Sequence, residues 1–378
     1  MTMKLAVLAP HLGCRSETFI RRHIDDLLPG KTVLVSNKRE KPFGGHWDVE
    51  CPKLLMNVEL NRLNFKMRNH LGGFWGRSLN GESRVVERFL RQQKVTVALG
   101  EYLDFSIDWC HLMDRLKIAY FIQAHGIDVS SYLCDRKRAE EVAYICRNVA
   151  GIFTRSEFHR NRLLEIGFSE NKLYVNPGGV TVDQEWKVRE RGEYIFCLAV
   201  GRIVPKKGPI FLLDAFRRAA QNCPRLRLDY VGSGPLFPAM RQYVQAHRMG
   251  EVVTLHGGVE PGRLAELQAR ANLFLQHSIT DPDTGDEEGL PAAIQEAMGQ
   301  SLPVVSTRHA GIPEAVEHEI TGLLSSPGDS KEMARMILLM AEDEKGAAEM
   351  SLRAWKKASR DYRWEDERSR LLSAMGIL

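Results

Sequence analysis

Two glutamates eight residues apart, Glu288 and Glu296, bracket the end of an acidic, turn-rich stretch that reads D-P-D-T-G-D-E-E-G-L-P-A-A-I-Q-E-A-M-G-Q from Asp281 to Gln300. Pro291 suits a first helical position, the pattern predicts a helix over 292–298, and Gly299 reads as its stop. The backbone N–H groups of Gly289 and Leu290 are then free at a helix N-terminus, an end that favours anions and phosphate above all. Acids on either side of such an end suit a ligand with both phosphate and hydroxyls, such as a sugar nucleotide. A second cluster, Gly201-Arg202-Ile-Val-Pro-Lys206-Lys207-Gly208, sets basic residues on a glycine-flanked loop. Arginine offers phosphate a bidentate fork and lysine a point charge.

These groups need a frame. Short apolar runs at 4–9, 32–36, 95–99, 118–123, 151–154 and 173–176 read as buried strands, and helical stretches alternate with most of them. Such alternation predicts a parallel sheet with helices on both faces. A strand ending in Pro10, a loop with Gly13 and a helix over 18–28 open the chain, and Gly13 lets backbone approach a ligand. His125 and Gly126 follow the strand 118–122, where ligands of open α/β sheets bind. The turn-rich 177–183 and the polar 181–193 read as a hinge and linker. A fresh apolar strand over 194–200 starts a second domain, with further strands over 226–231, 252–259 and 303–306. The expected domains are 1–180, 194–360, and a last helix over 361–378 that returns to the first.

The length of 378 residues suits two domains. A net charge of +4 is too small to argue for nucleic acid. The 7 cysteines are odd in number and lack a C-x-x-C, so neither a disulfide framework nor a zinc site is indicated, and reduced thiols in a cytoplasm fit. No apolar run approaches a membrane span or a signal peptide.

The segment E-E-G-L-P-A-A-I-Q-E-A resembles the E-x7-E motif of retaining glycosyltransferases of family 4, in its exopolysaccharide and colanic-acid branch. Other segments carry the same resemblance: S-E-T-F-I at 16–20, Leu99-Gly-Glu101-Tyr102, H-G-I-D at 125–128, G-R-x-x-x-x-K-G at 201–208 and G-I-P-E at 311–314. The resemblance implies the GT-B fold, α/β, with two doubly wound Rossmann-like domains facing across a cleft. It implies transfer of a sugar from a UDP- or GDP-sugar to a hydroxyl of a glycan, lipid-linked or small-molecule acceptor, with retention. In that scheme Gly13, Arg202, Lys207, Gly289, Leu290 and Glu296 bind the donor, Arg202 and Lys207 hold its diphosphate and Glu296 its ribose. Glu288 and His125 serve the transferred sugar.

Asp281-Pro-Asp283 is literally D-x-D, and with Asp286, Glu287 and Glu288 it could attract a divalent ion. The family generally needs no metal, so none is expected, nor any other cofactor. The stretch 57–94 mixes Arg62, Lys66, Arg68, Arg77 and other cations with Phe65, Phe74 and Trp75. It reads as a surface for an anionic membrane or a phosphate-bearing acceptor, or as a solvated helical pair; no nucleic-acid motif accompanies it. A cytoplasmic enzyme, peripheral at the inner face of the membrane, would follow from the first reading. Rival readings are a sugar-nucleotide epimerase of the same fold, a phosphorylase, for whose pyridoxal lysine no setting is seen, and a non-catalytic nucleotide-sugar sensor.

Overall fold

The computed structural model describes residues 3–14, 17–37, 47–56 and 81–378. Most of the basic stretch 57–94 lies outside these residues; of it, the helix Gly81–Gln92 and the turn after it are described. The chain divides into two compact units. One comprises 1–155, 159–176 and 368–378, the other 156–158 and 177–367.

The first unit is built on a parallel sheet of β1 (Leu5–Ala9), β2 (Thr32–Asn37), β3 (Lys53–Met56), β4 (Val97–Glu101), β5 (Ala119–Gln123), β6 (Gly151–Thr154) and β7 (Leu173–Val175), in the order β3-β2-β1-β4-β5-β6-β7. Every residue of β1 is buried, as expected of a central strand covered on both faces. The strand expected over 95–99 lies two residues later and ends in Glu101, which has no exposure at all. A buried carboxylate at a strand end needs a compensating partner, and long-range histidines supply it, as described below. Residues 368–378 belong to this unit, where Arg368 donates to the carbonyls of Asp26 and Leu27.

The second unit has a parallel sheet of β8 (Ile195–Val200), β9 (Leu226–Val231), β10 (Val253–Gly257), β11 (Leu273–Leu275), β12 (Val304–Thr307) and β13 (Leu323–Ser325), ordered β10-β9-β8-β11-β12-β13. Side chains alternate across it. Cys197 and Ala199 join a core with Leu212, Phe216, Met333 and Ile337, whereas Leu198 joins Phe274, Ile294, Met298 and Ala354 on the other face. Each such Leu, Ile or Phe contributes about 1.5–3 kcal/mol through burial. The stretch 181–193 has no helix or strand but is no free linker. Trp186 donates to Ser351, Arg189 to the carbonyls of Gln268 and Ala269, and Arg191 to those of Met340 and Ala341. Arg189 and Arg191 cap carbonyls, while Glu185, Lys187, Glu190 and Glu193 remain exposed.

Among the described residues, no helix is long and apolar enough to cross a membrane.

Candidate functional site

In the second unit the loops after the strands carry the candidate residues. The loop after β8 is pressed against the loop after β9. Gly232 takes φ 149°, and a Cβ on it would stand 1.8 Å from the Gly201 carbonyl oxygen. No larger residue fits without moving backbone. Lys207 ends a single 3-10 turn, Pro205–Lys207, and Gly208 caps it. Gly208 takes φ 48°, and a Cβ there would meet Nδ1 of His277 at 2.3 Å. His277, fully buried after β11, is thus the floor of the basic loop. Its Nε2 accepts the Gly328 N–H at 3.1 Å, and the Phe211 ring stacks on it at 5.2 Å. Burial pushes its pKa down to about 4, with His309 adding to the effect, so the imidazole is neutral.

Glu288 lies against this loop. Its Oε2 is 3.1 Å from Lys207 Nζ and its Oε1 is 3.8 Å from Lys206 Nζ. Burial by itself raises the carboxyl pKa, but Lys207, Lys206 and Arg202 outweigh it and hold the group at about 2. Burial also draws the Lys207 ammonium down from the ordinary lysine value, against the pull of Glu288. The contact favours the charged form of both partners, so at neutral pH they are carboxylate and ammonium. Glu288 Oε1 is buried and accepts no hydrogen bond among the described residues. Arg202 is exposed beside the pair.

Lys206 does something sequence alone did not show. Its buried ammonium donates to Asp286 Oδ1 and to the Glu287 carbonyl, both at 3.0 Å. It fixes the acidic loop, which further closes on itself through Asp281 N–H to the Asp286 carbonyl and Gly285 N–H to the Asp281 carbonyl. Part of the negative charge that could have drawn a cation is thereby answered by a lysine. Among the described residues no group of three or more His, Cys, Asp or Glu is arranged to hold a metal ion.

The helix of the E-x7-E segment runs Ala292–Gly299, with Pro291 as its N-cap rather than its first residue and Gly299 as its last. The N–H groups of Ile294 and Gln295 both turn to the Pro291 carbonyl, which only an N-cap residue offers. The N–H groups of Gly289 and Leu290 find no acceptor among the described residues. Glu296 is half-buried on this helix. The turn His309-Ala310-Gly311 closes on the same loop. Ala310 takes φ 47°, and a Cβ on Gly311 would stand 2.1 Å from the Gly289 carbonyl oxygen. Behind it, Glu314 accepts the N–H groups of Glu157 and Phe158 at 2.8 Å each.

In the first unit, Gly13 takes φ 84°, the left-handed backbone that suits glycine. His125 stands two residues after the end of β5. Its backbone N–H, with those of Gly126 and Leu103, donates to the buried Asp128 carboxylate. Its ring lies between those of Phe19 and Tyr102, each 4.4 Å away. Its Nε2 is 2.9 Å from Glu101 Oε2, and Arg155 Nη2 approaches its Nδ1 at 3.5 Å. His23 Nδ1 stands 2.5 Å from the other Glu101 oxygen. Burial would raise the Glu101 pKa, but the two histidines bring it to about 2. Tyr102 holds φ 66°, a strained setting for a non-glycine residue that costs on the order of 1–3 kcal/mol. Sequence reasoning did not find His23, Arg155 or His277. His23 reads as one more residue on an apolar helical face, and His277 follows a three-residue strand too short to notice.

Residues 182–360 match the model of the family described as "Glycosyl transferases group 1". The chain is 29% identical over 241 residues to the putative colanic acid biosynthesis glycosyltransferase WcaL of Escherichia coli K12, covering 63% of this chain and 59% of that protein. It is 27% identical, over the same shares, to the amylovoran biosynthesis glycosyltransferase AmsK of Erwinia amylovora. The chain thus spans 59% of the length of these curated relatives. Among solved structures, Anabaena HepE in complex with UDP and glucose superposes with a TM-score of 0.78 over 100% of both chains, at 16% identity. The fold is accordingly GT-B, two Rossmann-like domains, each on a parallel sheet. The part of the chain that carries the Arg202–Lys207 loop and the Glu288–Glu296 segment, residues 182–360, is a glycosyl transferase group 1 domain.

Proposed function

We propose that this protein moves a sugar from a nucleoside-diphosphate sugar, UDP- or GDP-linked, to a hydroxyl of a glycan, lipid-linked or small-molecule acceptor, with retention, as a family 4 enzyme of polysaccharide biosynthesis. The observation that carries this is the pairing of Lys207 with Glu288 at 3.1 Å beside two backbone N–H groups that find no acceptor among the described residues. A cation and N–H donors suited to a diphosphate there adjoin a carboxylate suited to sugar hydroxyls. The group 1 family match and the relatives named for colanic acid and amylovoran biosynthesis support the same reading.

In this scheme Arg202 and Lys207 hold the diphosphate, with Gly289 and Leu290 donating from the helix end and Gly13 lending backbone. Glu296 binds the ribose. Glu288 Oε1 takes a sugar hydroxyl, which removes the cost of a buried acceptor left unpaired, about 1–3 kcal/mol. His125 serves the same sugar. The acceptor oxygen bonds to the anomeric carbon as the bond to the diphosphate oxygen breaks, on one face of the ring. The departing diphosphate takes the acceptor's proton, so no protein nucleophile is needed. Each cation stabilises the leaving charge by roughly 2–4 kcal/mol. No metal is required, because Arg202, Lys207 and the helix end answer the diphosphate charge. A cytoplasmic site of action, with 57–94 meeting membrane or acceptor, belongs to the same proposal.

The test is stabilisation by UDP, GDP and ADP, with and without EDTA. One of them should raise unfolding free energy by about 2.7 kcal/mol at a hundredfold excess over its dissociation constant, equally in EDTA. Lys207→Ala should abolish the shift at that concentration. No stabilisation by any of the three, or none without magnesium, would refute the donor site as described.

A further inference from the structure

We infer that Glu101 and His23 are positioning residues for His125, a buried carboxylate–imidazolium pair that holds His125 as the neutral tautomer protonated at Nε2. The inference rests on the proposal that His125 touches the transferred sugar, and it adds how that histidine is held.

The geometry decides the protons. Glu101 has no exposure, and its two oxygens face one histidine each, at 2.5 Å from His23 Nδ1 and 2.9 Å from His125 Nε2. A carboxylate only accepts, so both facing nitrogens carry hydrogen. His125 Nδ1 faces the guanidinium of Arg155 at 3.5 Å. Arginine cannot be deprotonated and only donates, so a proton on Nδ1 would point one N–H at another beside a fixed positive charge. Nδ1 therefore keeps its lone pair, and His125 is neutral. A fully buried anion still needs a cation against it. His23, fully buried and on the short contact, supplies it as imidazolium.

The surroundings agree. From the helix Thr18–Asp25 and the residue before it come His23, the Phe19 ring and Glu17, the last paired with His11 at 2.6 Å. From the end of β4 come Glu101 and the strained Tyr102, from the turn after β5 the buried Asp128, and from the end of β6 Arg155, whose guanidinium also lies over Phe19 at 5.1 Å. Asp128 is spent on three backbone N–H groups, so it orients the His125 backbone while Glu101 orients the ring. The ring is left with one acceptor, Nδ1, whose contact among the described residues is the long one to Arg155. A sugar hydroxyl that donates to Nδ1 is the chemistry this arrangement takes. An imidazolium or the opposite tautomer could not accept there.

Nitrogen-15 spectra of the full chain labelled on histidine, assigned with His23→Gln and His125→Gln, read the protonation states directly. At pH 7 the wild type should show His23 doubly protonated and His125 neutral with its proton on Nε2. Glu101→Gln, which keeps the volume, should leave His23 neutral and lower kcat on the order of a hundredfold, with nucleoside-diphosphate affinity unchanged. A wild-type His125 that is charged, or protonated on Nδ1, overturns the inference whatever the activity. So does a Glu101→Gln enzyme that frees His23 of its proton yet keeps kcat within about twofold. Absence of any sugar transfer by the wild type would instead count against the proposed function, and the spectra would still decide the tautomer.

Discussion

Replacing Glu288 by glutamine is expected to lower kcat about a thousandfold while the affinity for free nucleoside diphosphate changes by less than about threefold. In the proposed scheme the carboxylate stands where positive charge develops on the sugar, and an interaction that strengthens in the transition state shows in turnover rather than in ground-state binding. The amide keeps the shape but loses the charge. It also leaves Lys207 and Lys206 without a shared anion, a loss of about 3 kcal/mol of stability. Lys206 keeps Asp286, so the acidic loop should stay in place. Turnover must therefore be measured on protein shown by circular dichroism to be folded at the assay temperature. Glu296→Ala should behave oppositely, weakening the free diphosphate with the smaller share of its effect in kcat, because in the proposed scheme it holds the ribose, which does not react. If Glu288→Gln keeps its turnover and only loosens the nucleotide, the two glutamates have been assigned the wrong roles and a nucleotide-sugar sensor becomes the better reading.

Acid should destabilise the chain through identified groups. Glu101 and Glu288 each sit at about 2 in the folded chain against an ordinary carboxyl value of 4.5. A depressed folded pKa gives stability that is present above pH 4.5 and lost as pH falls toward 2, because the unfolded chain takes up protons that the folded chain refuses. Between pH 7 and pH 3 each carboxylate should cost the unit that carries it about 2 kcal/mol. His277 acts in the same direction through the opposite charge. Held down to about 4 by burial, it stays neutral while the unfolded histidine protonates below 6.5, so stability is lost from pH 6.5 to about 4. Urea unfolding at pH 7, 5 and 3 measures this. Glu101→Gln and Glu288→Gln should each be less stable than wild type at pH 7 yet lose about 2 kcal/mol less on going to pH 3. Parallel pH dependence in wild type and variants would contradict the assignment.

What could be read from the sequence was what lies close along it. Glu288, Gly289, Leu290 and Glu296 fall within nine residues and Arg202 to Lys207 within six, so a local motif suffices to single them out as candidates. The doubly wound architecture was readable for the same reason, since a buried parallel strand is a local apolar run. The strands missed, β3, β11 and β13, are only three or four residues long, and β3 is half exposed. The partners that set the electrostatics were not readable. Lys206 meets Asp286 across 80 positions and His23 meets Glu101 across 78. No periodicity marks such a pair. Glu101 illustrates the consequence. A charged residue after an apolar run reads as the start of a loop, whereas two histidines from other elements let it end the strand fully buried. The segment 181–193 misled by the same logic in reverse, because arginines that look solvated serve as caps for distant carbonyls.

The most direct test of retaining transfer is the anomeric configuration of the first product. The nucleotide sugar selected by the stabilisation panel would be incubated with simple glycosides as acceptors, in EDTA, and the new linkage followed by proton NMR from the earliest turnovers. The account predicts acceptor-dependent product with the same anomeric configuration as the donor, lost in Glu288→Gln. A product of inverted configuration would contradict it.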